Sequence, residues 1–143
     1  MKDAMYVVDT DVVSETTKPA PNASMVGWLA ARSRILLSAI TVYELARGIE
    51  RVHLGRKRRF LEAWFDELLQ GPVEVLPFTS EAAFAAARLE ADLRRSGRSI
   101  DTRDLFILAS AKAQGAALAT RNVAHFRGLG VEVYDPFTGN VAH

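Results

Sequence analysis

Five short apolar runs alternate with longer segments of helical periodicity, and that alternation restricts this chain more than any other feature of its sequence. Residues 5–8, 35–37, 73–76, 116–119 and 131–134 are each too short for a stable helix and are almost wholly apolar. Such runs read as strands buried on both faces of a parallel sheet. The segments between them read as helices. One is capped by Asn22 or Ser24 and runs to Arg32, and another runs from Thr41 toward Arg51. A third, over 56–70, carries Phe60, Trp64, Phe65, Leu68 and Leu69 on one stripe and stops at Gly71-Pro72. Thr79 or Ser80 opens an alanine-rich helix that Gly97 ends, and Asp101 or Thr102 opens one that Gly115 ends. The expected fold is α/β, three layers deep, with about five mostly parallel strands between helices.

No repeat, low-complexity stretch or linker divides the 143 residues, so a single domain over 1–143 is expected. That length suffices to bury roughly 70% of the unfolded chain's surface. Eighteen Lys and Arg against seventeen Asp and Glu leave a formal charge of +1, so any nucleic-acid affinity must be local. The absence of cysteine excludes disulfides, thiolate zinc sites and a cysteine nucleophile, and fits a reducing cytosol. The start of the chain is too short in apolar residues and too acidic, with Asp9 and Asp11, to read as an export signal. No apolar run approaches the ~20 residues that span a bilayer.

In sheets of this kind ligands bind beyond the carboxyl ends of the strands. The first strand ends there in Asp9-Thr10-Asp11. The second leads through Ser38 into a helix bearing Glu44. Asp104 falls in the first turn of the helix opened by Asp101, and the fourth strand ends in Thr120-Arg121-Asn122. Three acids and an amide from distant segments thus meet at one rim. Gathered carboxylates raise one another's pKa unless a cation neutralises them. Mg²⁺ or Mn²⁺, held by one or two carboxylates and waters, suits an oxygen-only set. Such an ion can activate water for attack on a phosphodiester.

Each residue also has an ordinary reading. Asp9 and Asn122 are acceptable turn residues, Glu44 can pair with Arg47 one turn on, and Asp104 suits the positive end of a helix dipole. Among the basic residues, Arg56 to Arg59 read as a solvated helix start, with Arg94, Arg95 and Arg98 a second cluster. Arg103, Arg121 and Thr120 flank the acids and are the candidates for substrate phosphate. Trp28, Phe60, Trp64 and Phe65 are expected in the core or a subunit interface. His53, His125 and His143 lack metal-ligand spacing.

In order and spacing, Val8-Asp9-Thr10-Asp11-Val12-Val13-Ser14-Glu15, the stretch 37–45, the stretch 104–111, Ala119-Thr120-Arg121-Asn122 and the closing stretch 133–137 resemble PIN-domain ribonuclease toxins of the VapC type, in particular the FitB-like branch. The resemblance covers nearly the whole chain. It implies a PIN-like fold and a Mg²⁺- or Mn²⁺-dependent endoribonuclease, with Asp9, Glu44 and Asp104 as metal ligands and Asn122 completing the catalytic centre. It further implies an RNA substrate, a homodimer, a small cognate antitoxin, a cytoplasmic setting and no membrane. Asp11 stands where such proteins often carry Asn, and Asn122 where they can carry Asp, which bears on a second metal ion.

Two other functions fit parts of the pattern. Asp9-Thr10-Asp11 after a strand resembles the nucleophile motif of haloacid-dehalogenase-type phosphatases, with Asp9 attacking phosphorus and Asp11 as acid/base. Against it, Asp101 and Asp104 open a helix, Glu44 has no task, and no suitable lysine precedes that pair. The other is a catalytically silent interaction module.

Overall fold

The computed structural model describes residues 4–143. The first three residues of the start read for an export signal lie outside that range. Tyr6–Val8 forms β1, and Asp9 ends it by turning its carboxylate back to accept the Thr10 N–H, which caps the short helix α1, Thr10–Glu15. Helix α2, Ala23–Ala30, is capped by Asn22, whose Oδ1 accepts from Met25 N–H at 3.0 Å. Strand β2, Ile35–Ser38, passes directly into α3, Ala39–Glu50, with Ser38 as its cap. Helix α4, Arg56–Gln70, and strand β3, Val73–Leu76, occupy their expected positions.

Thr79 caps α5, Ser80–Arg95, and Asp101 caps α6, Thr102–Gln114. Gly115 ends α6 at φ +69°, a left-handed conformation that glycine adopts without steric cost. Strand β4, Ala117–Ala119, a 3₁₀ turn at Val123–Phe126 and strand β5, Val133–Tyr134, follow. A sixth strand, β6, Val141–Ala142, was not expected; it pairs antiparallel with β5. Helix α1 was not expected either.

The sheet runs β3-β2-β1-β4-β5-β6, parallel except at β6. Adjacent residues of one strand face opposite sides, and the core divides accordingly. Val7, Leu36, Leu118 and Val133 pack with Leu89, Leu93, Leu105 and Leu108 of α5 and α6. Val8, Leu37 and Ala119 face the other way, onto Val12, Val13, Met25 and Leu45, with Trp28, Trp64 and Phe65 at the margin. The expected stripe of α4 is only partly covered, since Phe60 and Leu69 are exposed. Among the described residues no helix is long and apolar enough to cross a membrane.

The chain leaves β1 toward β2 and β3 on one side, and β4 and β5 are added on the other. The order therefore reverses between β1 and β4, the position at which open α/β sheets form a crevice at their carboxyl ends.

Candidate active site

Asp9 closes β1 and Thr120 follows β4, so the two stand side by side at that reversal. Thr120 is fully buried, and its hydroxyl donates to Asp9 Oδ2 at 2.9 Å. The Asn122 N–H in turn donates to Thr120 Oγ1 at 3.2 Å, so the loop after β4 and the end of β1 share one hydrogen-bond chain. With Thr10 N–H on Oδ1 at 2.8 Å, both oxygens of Asp9 have a protein donor while lone pairs remain on each. Thr120, expected to meet substrate, is thus placed to hold Asp9 instead.

Helix α3 brings Glu44 from the second strand. Its Oε1 accepts from Thr10 Oγ1 at 2.7 Å, and Thr10 Oγ1 also lies 3.2 Å from Thr41 Oγ1. Among the described residues no ion pair joins Glu44 to Arg47. Asp104 stands in the first turn of α6, with His125 Nε2 3.8 Å from its Oδ2. Asp9, Asp11, Glu44, Asp104 and Asn122 line one cleft of about 320 Å³, together with Thr10, Ser14 and Phe126. All four residues taken from the sequence as the centre, and Asp11 besides, are therefore neighbours.

The electrostatics of this cleft are unfavourable without a cation. Burial pushes the Asp9 carboxyl up to about 7, and the charges of Asp11 and Asp104 add to the rise against the opposing hydrogen bonds from Thr120 and Thr10. Asp11 has an exposed side chain at the mouth, yet partial dehydration still raises its pKa, and the Arg121 backbone N–H and guanidinium oppose the rise. Asp104 is raised by dehydration and then by Asp101 and Glu44, with His125 and Arg103 opposing.

An all-oxygen set of acids whose charges oppose one another fits a hard divalent cation. Among the described residues no three His, Cys, Asp or Glu side chains already converge on one ion position. The set is thus an open rim and not a closed cage, the arrangement expected for an ion that keeps most of its waters.

Of the flanking arginines, Arg103 pairs loosely with Asp101 at 3.8 Å and Arg121 lies 3.7 Å from Glu15 Oε1, and neither is among the residues that line the cleft. Of the basic run, Arg58 is tied to Glu50, Glu62 and the Val52 carbonyl. Among the described residues no lysine lines the cleft, which removes an element the phosphatase reading requires. Sequence reasoning missed Thr10. Its only signal was a hydroxyl residue directly after the strand-end acid.

Residues 6–129 match the family model described as PIN domain. The chain is 35% identical over 141 residues to a protein named VapC ribonuclease Y4jK from Sinorhizobium fredii, across 93% of this chain and 98% of the relative. It is 32% identical over 139 residues to Toxin FitB of Neisseria gonorrhoeae, across 93% and 99%. The solved structure of FitAcB from Neisseria gonorrhoeae superposes with a TM-score of 0.86 at 31% identity, covering 94% of this chain and 99% of that one. With the reversal of strand order, the acids gathered at it and these likenesses in agreement, this chain belongs to the PIN-domain family.

Proposed function

We propose that the chain is a divalent-metal-dependent endoribonuclease, the toxin of a toxin–antitoxin pair, with Asp9, Glu44 and Asp104 as metal ligands and Asn122 completing the catalytic centre. The observation that carries this reading is the convergence of those acids at the β1/β4 reversal, where burial first and then the charges of Asp11 and Asp104 raise Asp9 to about 7. Relatives named as a ribonuclease and a toxin support it.

A bound Mg²⁺ or Mn²⁺ would neutralise the rim, activate a water and stabilise charge on the phosphodiester under attack. The chain's own residues set the stage for that chemistry. Thr120 and Thr10 fix both oxygens of Asp9, and Thr10 fixes Glu44 from the same turn, so two ligands are oriented by one short segment. Such outer partners hold ligands in productive geometry. Asn122 offers a neutral amide where a further acid would add repulsion. Of the two hydroxyl side chains that line the cleft, Ser14 donates to the Thr10 carbonyl, and Thr10 donates to Glu44, which is assigned to the metal and not to a general base, so water is the attacking group in the proposal.

The remaining parts of the proposal are a single domain over 1–143, a homodimer, a cytoplasmic setting and a small cognate antitoxin that covers the cleft. The test is incubation of the purified chain with RNA in Mg²⁺, in Mn²⁺ and in chelator, beside a phosphate monoester. Metal-dependent RNA cleavage with an inert monoester is expected. Ester hydrolysis without RNA cleavage would overturn the assignment.

A further inference from the structure

Of the basic cluster Arg94, Arg95 and Arg98, the first two pair with acids of their own helix, Glu90 and Asp92. Arg98 instead crosses to the loop that follows β4. Its Nη1 donates to the Arg127 carbonyl at 2.8 Å and its Nη2 to the His125 carbonyl at 3.1 Å. The base of this side chain is itself fixed. Gly97, at φ +71°, turns the chain at the end of α5, so that Arg98 N–H reaches back to the Leu93 carbonyl at 2.8 Å and Gly97 N–H to the Arg94 carbonyl at 3.0 Å.

The loop needs such a hold. Residues 122–130 lie between β4 and β5 outside the sheet, and the 3₁₀ turn Val123–Phe126 is too short to satisfy the carbonyls at its own end. Asn122 and Phe126 of this loop line the cleft. Phe126 is buried, which fixes the loop at one point. The carbonyls on either side of it, held by one planar fork, fix its rotation about that point. From there a continuous chain of hydrogen bonds runs to the strand-end acid. His125 N–H donates to the Asn122 carbonyl at 3.2 Å, Asn122 N–H donates to Thr120 Oγ1 at 3.2 Å, and Thr120 Oγ1 donates to Asp9 Oδ2.

We propose that Arg98 is a positioning residue for the reaction: its guanidinium grips the loop on both sides of Phe126 and so holds Asn122 in the cleft. The inference rests on the reading of Asn122 as part of the catalytic centre. Asp9 and Glu44 have their own holds in Thr10 and Thr120, so releasing the loop displaces Asn122 and leaves them in place.

The test is RNA cleavage in saturating Mg²⁺ by the full chain and by its Arg98→Met, Arg98→Lys, Asn122→Ala and combined Arg98→Met, Asn122→Ala variants, with thermal midpoints to verify folding and hydrogen exchange of the loop amides measured in chelator. Misplacement by ~1 Å costs about 100-fold, so Arg98→Met is expected to lower kcat by about 10- to 100-fold with little change in KM. Arg98→Lys keeps the charge but not the fork and is expected to fall with it. In the Asn122→Ala background, removing Arg98 is expected to add little, because the two act through one position. The amides of the loop are expected to exchange several-fold faster in Arg98→Met, with those of β1 unchanged. A rise in KM with kcat kept, full recovery in Arg98→Lys, additive losses in the combined variant or unchanged loop exchange overturns the inference and leaves the metal reading standing. Asn122→Ala at the wild-type rate overturns the assignment of Asn122 and the inference with it. No cleavage by the wild type overturns the proposed function and the inference together.

Discussion

Thr120 Oγ1 donates to Asp9 Oδ2 at 2.9 Å, joining residues 111 positions apart in sequence at the one point where the strand order reverses. The bond ties the first strand's acid to the fourth strand's end, so the site's geometry depends on the β1–β4 pairing that puts Val8 beside Ala119.

Replacing Thr120 by Val keeps the volume and removes the donor. A buried oxygen of Asp9 then loses its partner, at a cost of about 1–3 kcal/mol. Misorientation of a ligand by loss of its outer partner lowers metal affinity or activity by about 10–100-fold. Thr120→Ser should recover most of both. Thermal unfolding and the Mg²⁺ dependence of RNA cleavage measure the two effects, and equal behaviour of Val and Ser variants would contradict the role.

Thr10→Val should loosen Glu44 while leaving the fold intact, because its N–H still caps onto Asp9. The Mg²⁺ concentration for half-maximal cleavage should rise by about 10-fold or more. An unchanged value would mean that Glu44 needs no such support.

The pH dependence of stability follows from Asp9. Its carboxyl is raised from an ordinary 3.8 to about 7, so between those values the folded protein binds more protons than the unfolded chain. The Asp9 contribution is therefore fully present below about pH 4 and is lost as pH rises through about 7. In chelator, the wild type should lose stability across that window relative to Asp9→Asn, and millimolar Mg²⁺ should reduce the loss by favouring the carboxylate. Parallel thermal midpoints for the two proteins would contradict the shift.

In the core, Leu118 lies between β1 and β5 and is fully buried. Leu118→Ala should cost about 2–5 kcal/mol, while cleavage per folded molecule stays near the wild-type value. Denaturant unfolding beside the RNA assay separates stability from chemistry.

What could be read from the sequence was whatever has a local cause. The apolar run at 73–76 and the stripe at 56–70 end where glycine and proline end them, and Asn22, Thr79 and Asp101 cap their helices by side-chain chemistry visible in neighbouring residues. Helix α1 is six residues long and is separated from β1 by Asp9 alone, so it is too short for Val12 and Val13 to show a helical period. Strand β6 has two residues and exists through its pairing with β5 around the Asp135 turn, a non-local cause.

The candidate site divides in the same way. Strand-end acids announce themselves once the α/β alternation is recognised. The Thr10–Glu44 and Thr120–Asp9 bonds depend on how α3 and β4 dock, which no local pattern encodes. The polar tip of Thr120, exposed in a reading of the loop alone, is buried for that reason.

The central claim is that Asp9 and Asp104 act in RNA cleavage as metal-holding carboxylates. Asp9→Asn and Asp104→Asn keep side-chain size while removing the charge, so RNA cleavage in saturating Mg²⁺ by the two variants and the wild type, at matched folded concentration, tests it most directly. Loss of about 100-fold or more in each variant, with thermal midpoints in chelator at or above the wild-type value, is the predicted result. Cleavage at the wild-type rate by either folded variant would contradict the account.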